Sequence, residues 1–257
     1  MGIVRDAVRN LILESAMGRL EFFMHPGMRN MWGGPFNGQR FRQRIFFDIL
    51  HCLTISAIVE TGTFRGETTA LFAATSLPVY TVEINPRYFS YTKMRFLLNR
   101  KNVCLYHGDS CTFLRKLCED GSVPKENVFF YLDAHWGETL PLREELEIIF
   151  SRWKKPVVMI DDFKVAGSGY GFDDYGPDKT LDLDYIDPVV SAFNLSIFFP
   201  AVAPSEETGE KRGCVVLCRE CSAIRLFMKM NTLIRYEPHG LSLQDDEKEC
   251  IEKRLTG

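Results

Sequence analysis

The sequence predicts an α/β protein built on one doubly wound, mostly parallel sheet, with an antiparallel hairpin at one edge and helical extensions at both ends. Three observations lead there. Five short apolar runs recur between residues 57 and 163: AIVETG (57–62), VYTVEI (79–84), VCLYHGD (103–109), NVFFYLDAH (127–135) and PVVMIDDF (156–163). Each is nearly continuous in hydrophobicity, as strands covered on both faces of a parallel sheet must be. Stretches of helical period separate them, which makes a βαβαβ series. Further on, LSIFFPAV (195–202) and GCVVLCR (213–219) flank a polar linker, the pattern of a hairpin.

Taken in order, the first 53 residues read as helical. Val4, Val8, Leu11 and Ile12 share one helical face, as do Phe41, Ile45, Ile49 and Leu53, with a Gly- and Pro-rich loop between the two segments. Asn85 before Pro86 is a cap followed by a preset first turn, which opens a helix running to about Arg100. Leu142, Leu146, Ile149, Phe150 and Trp153 make a second apolar stripe, with Arg143, Glu144, Glu145 and Glu147 on other faces. A polar loop follows (164–183), then another helix, the hairpin, and about 35 residues that read as two helices. The expected division is a helical extension over 1–56, the α/β domain over 57–219 and a second extension over 220–257.

Composition narrows the function. The chain has 257 residues, 46% hydrophobic and 25% charged, with 31 Lys and Arg against 34 Asp and Glu. A net charge of -3 argues against a general nucleic-acid binder, and no apolar run approaches the ~20 residues of a membrane span. Eight cysteines are scattered, several in apolar runs where a free thiol packs as a small hydrophobe. Cys214, Cys218 and Cys221 lack a fourth close ligand, so zinc is disfavoured, and a cytoplasmic setting is expected.

In doubly wound sheets ligands bind beyond the carboxyl ends of the strands. Each of the five strands carries an acid at or near that end: Glu60, Glu83, Asp109, Asp133, and the pair Asp161–Asp162. Such a rim suits a ligand bearing hydroxyls or a cation and repels a bare polyphosphate. The turn after the first strand, Glu60-Thr61-Gly62-Thr63-Phe64-Arg65-Gly66-Glu67-Thr68, spaces its glycines as G-x-x-x-G. It fits neither the dinucleotide fingerprint nor a Walker loop. Thr68 and Thr69 stand at a helix start, where hydroxyls and free N–H groups can hold a carboxylate. A purely structural tight turn is the alternative.

On ETGTFRGETT, VEINP, HGDS, YLDAHW and MIDDF, in that order over 57–163, the chain resembles class I S-adenosylmethionine-dependent methyltransferases, in particular metal-dependent catechol and sugar O-methyltransferases. The resemblance implies a Rossmann-like fold in which Glu60, Gly62, Thr63, Phe64 and Gly66 form the cofactor turn and Thr68 holds the methionine carboxylate. It also implies that Glu83 accepts the ribose hydroxyls, that Asp109 and Ser110 flank the adenine, and that Asp133 borders the cofactor.

A metal is expected on two grounds. Three carboxylates converging from neighbouring strands repel unless a cation sits among them, and hard oxygen ligands select Mg²⁺, Mn²⁺ or Ca²⁺. In the resembled family the positions matching Asp133, Asp161 and Asp162 bind Mg²⁺. The sequence departs from catechol O-methyltransferase at the base: Ala134 is inserted and Gly137 stands in the Lys place. His135, two residues from Asp133 and on the same side of an extended strand, becomes the candidate base. Gln39 or Arg40 is a weaker candidate near the cofactor.

The expected activity is metal-assisted O-methylation of a small hydroxylated molecule, without nucleic-acid or membrane partners and with a homodimer left open. Two rival readings are an NAD-dependent oxidoreductase, disfavoured by the missing glycine pattern, and a non-catalytic S-adenosylmethionine-binding subunit.

Overall fold

A computed structural model describes residues 2–97, 102–135 and 140–237 of the chain. Helix α1 (Gly2–Met24), two 3₁₀ segments and α2 (Arg40–Cys52) precede an alternating series. That series runs β1 (Ala57–Thr61), α3 (Glu67–Ala74), β2 (Val79–Glu83), α4 (Pro86–Phe96), β3 (Val103–His107), α5 (Ser110–Glu119), β4 (Val128–Leu132), α6 (Leu142–Arg152) and β5 (Val157–Ile160). Then come α7 (Leu183–Phe193), β6 (Ser196–Pro200), β7 (Val215–Cys218), α8 (Cys221–Phe227) and β8 (Leu233–Tyr236).

The eight strands form one sheet in the order β3-β2-β1-β4-β5-β7-β6-β8. β1 to β5 are parallel, and β7 joins β5 antiparallel. This is the expected Rossmann-like doubly wound architecture. β1, β2, β4 and β5 are buried along their whole length, because helices cover both faces. One apolar layer gathers Val59, Phe130, Leu146 and Ile149 under α5, α6 and α7, and the other gathers Ile58, Phe72, Phe129 and Phe46 under α2 and α3.

Local signals end the elements as expected. The Asn85 side chain accepts from the Arg87 and Tyr88 backbone N–H groups, capping α4 with Pro86 in its first turn. Asp109 caps α5 in the same way, its carboxylate accepting from Thr112 N at 2.8 Å. The C-terminal extension differs from expectation. Among the described residues of this extension only Cys221–Phe227 is helical; Leu233–Tyr236 is a strand that pairs with β6. β8 satisfies the outer N–H and C=O groups of β6 and is itself the edge strand. The sheet therefore continues past residue 219, and the hairpin β6–β7 lies inside the edge. Residues 238–257 of the expected second helix lie outside the described residues.

Candidate active site

The chain reverses direction across the sheet between β1 and β4, since β2 and β3 lie to one side of β1 and β4 to the other. Ligands of open α/β sheets bind at this switch point, beyond the carboxyl ends of the strands. The turn after β1 sits there. Gly62 has φ +86°, a left-handed conformation, and a Cβ on it would overlap the Asp133 carbonyl at the end of β4. Gly66, at φ +73°, starts α3, and a Cβ there would press on Phe96 and Thr92. Both glycines are thus required by the backbone path.

Glu83 ends β2 and leans back over this turn. One carboxylate oxygen accepts from Phe64 N and the other from Asn85 N, both at 2.7 Å. Each oxygen retains a second lone pair for another donor. Burial pushes the Glu83 carboxyl up to about 7, against the pull of those N–H groups. Phe64, itself at positive φ, packs edge-on to Tyr88, with the Arg65 guanidinium over both rings.

Glu60 lies beneath the turn and is almost wholly buried. It accepts from Thr69 Oγ1 at 2.5 Å and Thr81 Oγ1 at 2.6 Å. Thr81 has one proton and gives it to Glu60, so in its 2.5 Å contact with Thr63 the Thr63 hydroxyl is the donor. Burial raises Glu60 to about 8. Thr68 Oγ1 accepts from Phe36 N at 3.1 Å, tying the N-terminal segment to the start of α3.

Ser110, at the start of α5, is buried, whereas Asp109 is exposed and serves as the α5 cap. Beside Ser110 the structure places a residue from outside the apolar stripe of α6. Glu145, in the first turn of α6, is fully buried beside the Ser110 and Thr61 hydroxyls, with no charged partner for its carboxyl among the described residues. Burial raises it to about 7, with the Ser110 and Thr61 hydroxyls drawing it down. Its apolar flanks Leu142, Leu146 and Ile149 carried the signal, because one turn of helix wedged between sheet and α5 buries more than a single stripe.

At the β4–β5 side the arrangement differs from expectation. Asp161 is completely buried and paired with the Arg42 guanidinium of α2. The oxygen facing Arg42 also accepts from Asp162 N at 2.7 Å, and the other oxygen accepts from the Tyr131 hydroxyl. Asp162, at φ +52°, accepts from Arg212 Nε at 2.7 Å, and Arg212 also pairs with Asp173. Gln39 clamps Arg212 in both directions: its Nε2 donates to the Arg212 carbonyl and its Oε1 accepts from Arg212 N, each at 2.8 Å.

The expected Mg²⁺ ligands Asp133, Asp161 and Asp162 therefore do not fit a metal. The lone pairs of Asp161 are taken by a guanidinium, a phenol and an amide, and Asp162 is held by a second guanidinium. Two arginines supply the positive charge that the sequence argument assigned to a cation. Among the described residues, no group of three His, Cys, Asp or Glu is arranged to hold a metal ion. Asp133 has no arginine partner among the described residues. Burial, reinforced by repulsion from Asp162 and Glu60, holds its carboxyl well above the usual carboxylate range. Of the α2 arginines, Arg40 and Arg44 are exposed and Arg42 is buried.

His135 is buried, and its Nε2 lies 3.2 Å from the Asp161 carbonyl. A carbonyl only accepts, so Nε2 carries the proton and Nδ1 is a free lone pair, without a partner among the described residues. Burial lowers its pKa to about 4, so the ring is neutral at physiological pH. Tyr175, from the long loop after β5, brings its hydroxyl to the His135 carbonyl and to Asp173 Oδ2, the latter at 2.5 Å. The loop is thereby packed against the rim. Cys214 and Cys218 are free, buried thiols in the sheet core, which disposes of the zinc reading for that pair.

No family model and no curated protein matches the chain. Several solved structures have a similar chain trace. An O-methyltransferase from Bacillus cereus in complex with SAH is 17% identical, with 70% of this chain and 81% of that one covered and a TM-score of 0.48. The O-methyltransferase TomG from Streptomyces achromogenes, in complex with SAM, is 18% identical over 69% of this chain and 79% of that one, also at 0.48. CalS10, an amino pentose methyltransferase from Micromonospora echinaspora bound to SAM, is 15% identical over 69% and 89%, again at 0.48. In addition, no described helix is long and apolar enough to cross a membrane.

Proposed function

We propose that this chain is an S-adenosylmethionine-dependent methyltransferase acting on a hydroxyl group of a small molecule, without a bound metal. The observation that carries this reading is the turn at the switch point. Gly62 lies against the Asp133 carbonyl, and the Glu83 carboxylate at the end of β2 accepts from Phe64 N and Asn85 N, which leaves each of its oxygens one further lone pair. A ribose diol offers two hydroxyl donors to such an acid.

The cofactor supplies a methyl group made electrophilic by its sulfonium. What remains for the protein is alignment and proton management, and alignment carries most of the acceleration in an in-line displacement. Thr68 and the N-terminal N–H groups of α3 suit the methionine carboxylate, and Ser110 with Asp109 the adenine edge. His135 is the base in this reading, taking the acceptor's hydroxyl proton on Nδ1 while Nε2 stays bonded to the Asp161 carbonyl. With a pKa near 4 it is a weak base, so the proton moves as the methyl transfers rather than in a prior step. The Arg42–Asp161 pair holds the ring's anchor in place.

Calorimetry with S-adenosylhomocysteine and with NADH tests the reading. Binding of the first alone is expected; binding of NADH alone would replace it with the oxidoreductase alternative. His135→Ala should lower kcat by about 10²–10⁴ with cofactor affinity unchanged. The wild-type rate should rise with pH through an ionisation near 4 and be level at neutral pH, a step the variant lacks. Wild-type kcat in the variant would remove His135 from the chemistry.

A further inference from the structure

Helix α1 is apolar on two opposite faces. Gly18 and Phe22 turn toward α4, where a Cβ on Gly18 would overlap the Arg87 carbonyl, and Glu21 pairs with Arg65 and Arg87. On the far side Ile12, Leu13, Met17, Leu20, Phe23 and Met24 are between 43% and 64% exposed. Ala16, also exposed, lies in the middle of this face. No acidic side chain interrupts it. A helix that is apolar all round is normally buried all round.

From these residues we infer that the outer face of α1 is a self-association surface, on which a second copy of this chain packs its own α1 about a two-fold axis. Leu13, Met17, Leu20 and Met24 stand at i, i+4, i+7 and i+11, the seam along which one helix packs into another. Ala16 permits close approach at the centre. A two-fold contact needs a face complementary to itself, and an apolar stripe with a small residue at its centre meets that requirement. Six half-exposed side chains leave roughly 400–600 Å² of apolar surface bare, which matches the apolar share of a standard interface of about 800 Å² per partner.

Charge favours a second copy over a lipid surface. Residues 2–24 carry Arg5, Arg9 and Arg19 against Asp6, Glu14 and Glu21, three of each sign. Such a helix has no net attraction for anionic headgroups, whereas interfacial helices are rich in Lys and Arg on the polar face.

Sedimentation velocity of the full chain across nanomolar to micromolar concentrations tests the inference. Twice the chain mass is expected for wild type, and the chain mass for the double variant Leu13→Glu/Leu20→Glu with its circular dichroism unchanged. A wild-type monomer throughout, or a folded variant that stays dimeric, would overturn it. Should the variant misfold, hydrogen exchange of wild type decides: protection over residues 11–24 that rises with concentration supports the seam, and protection independent of concentration rejects it. Pelleting of a wild-type monomer with phosphatidylcholine–phosphatidylglycerol vesicles would reassign the face to lipid.

Discussion

At the β1–β2 side of the rim, Glu60 and Glu83 are held by hydroxyls and backbone N–H groups, whereas at the end of β5 Asp161 and Asp162 each meet an arginine. The same residue type at equivalent strand ends thus has two fates. On the first side burial wins, and the carboxyls of Glu60, Glu83 and the neighbouring Glu145 rise to about 8, 7 and 7. These groups keep donor and acceptor capacity for a neutral ligand. On the second side the guanidinium groups neutralise the acids in place, so the strand end is a rigid support for the His135 ring. The difference separates a half built to bind from a half built to hold.

The contrast breaks most sharply at Arg42. Arg42→Ala should destabilise the fold by about 3–5 kcal/mol in urea titration, because it leaves the buried Asp161 without its opposite charge. Adding Asp161→Asn to that variant should restore part of the loss. Equal stability of wild type and Arg42→Ala would mean that the ion pair does not hold the β5 end.

Glu145 sharpens the other half. Its folded pKa of about 7 exceeds the usual 4.5, so between those values the folded state binds the extra proton and stability falls as pH rises. Glu145→Gln lacks this titration. Its advantage over wild type should be near zero at pH 4 and reach roughly 3 kcal/mol above pH 7, at 1.36 kcal/mol per pKa unit. Thermal or urea unfolding at several pH values measures it, and a difference that does not vary with pH would reject the assignment. Because Glu60 and Glu83 titrate in both proteins, they cancel from the comparison.

Glu83→Ala is expected to weaken S-adenosylhomocysteine binding by about 1.5–3 kcal/mol in calorimetry, the scale of hydrogen bonds to a charged or highly polar group. Unaltered affinity in a folded variant would take Glu83 out of the ribose site. The smallest effect belongs to the metal. Millimolar Mg²⁺ should leave the melting temperature unchanged, since a ligand that binds the folded state raises it by mass action. A clear rise would show that a cation displaces Arg42 or Arg212, and would restore the expectation drawn from the sequence.

Much of the site was legible before the structure. The tight turn, the acids on one rim and the cap at Asn85 follow from local chemistry, since each involves residues only a few positions apart. Arg42 and Glu145 were not legible. Helical spacing tells which residues share a face but not whether a second layer covers the opposite one. The same limit hid the capping of α2: its first N–H groups donate to Thr208 and Glu207, more than 160 residues away, with no side-chain cap of its own.

By itself, then, the sequence determined the alternation of strands and helices, the edge of the sheet that carries acids, and the glycines of the first turn. Hydrophobic period, cap residues and left-handed φ are local properties, and they act the same wherever the segment ends up. Only the tertiary structure decided which acids stay free. Arg42 reaches Asp161 because α2 packs across the strands, and Arg212 reaches Asp162 because β7 runs beside β5. A carboxylate's charge, its ligand and its role depend on what lies within a few ångströms, and in this chain those partners come from about 50 to 120 residues away along the sequence.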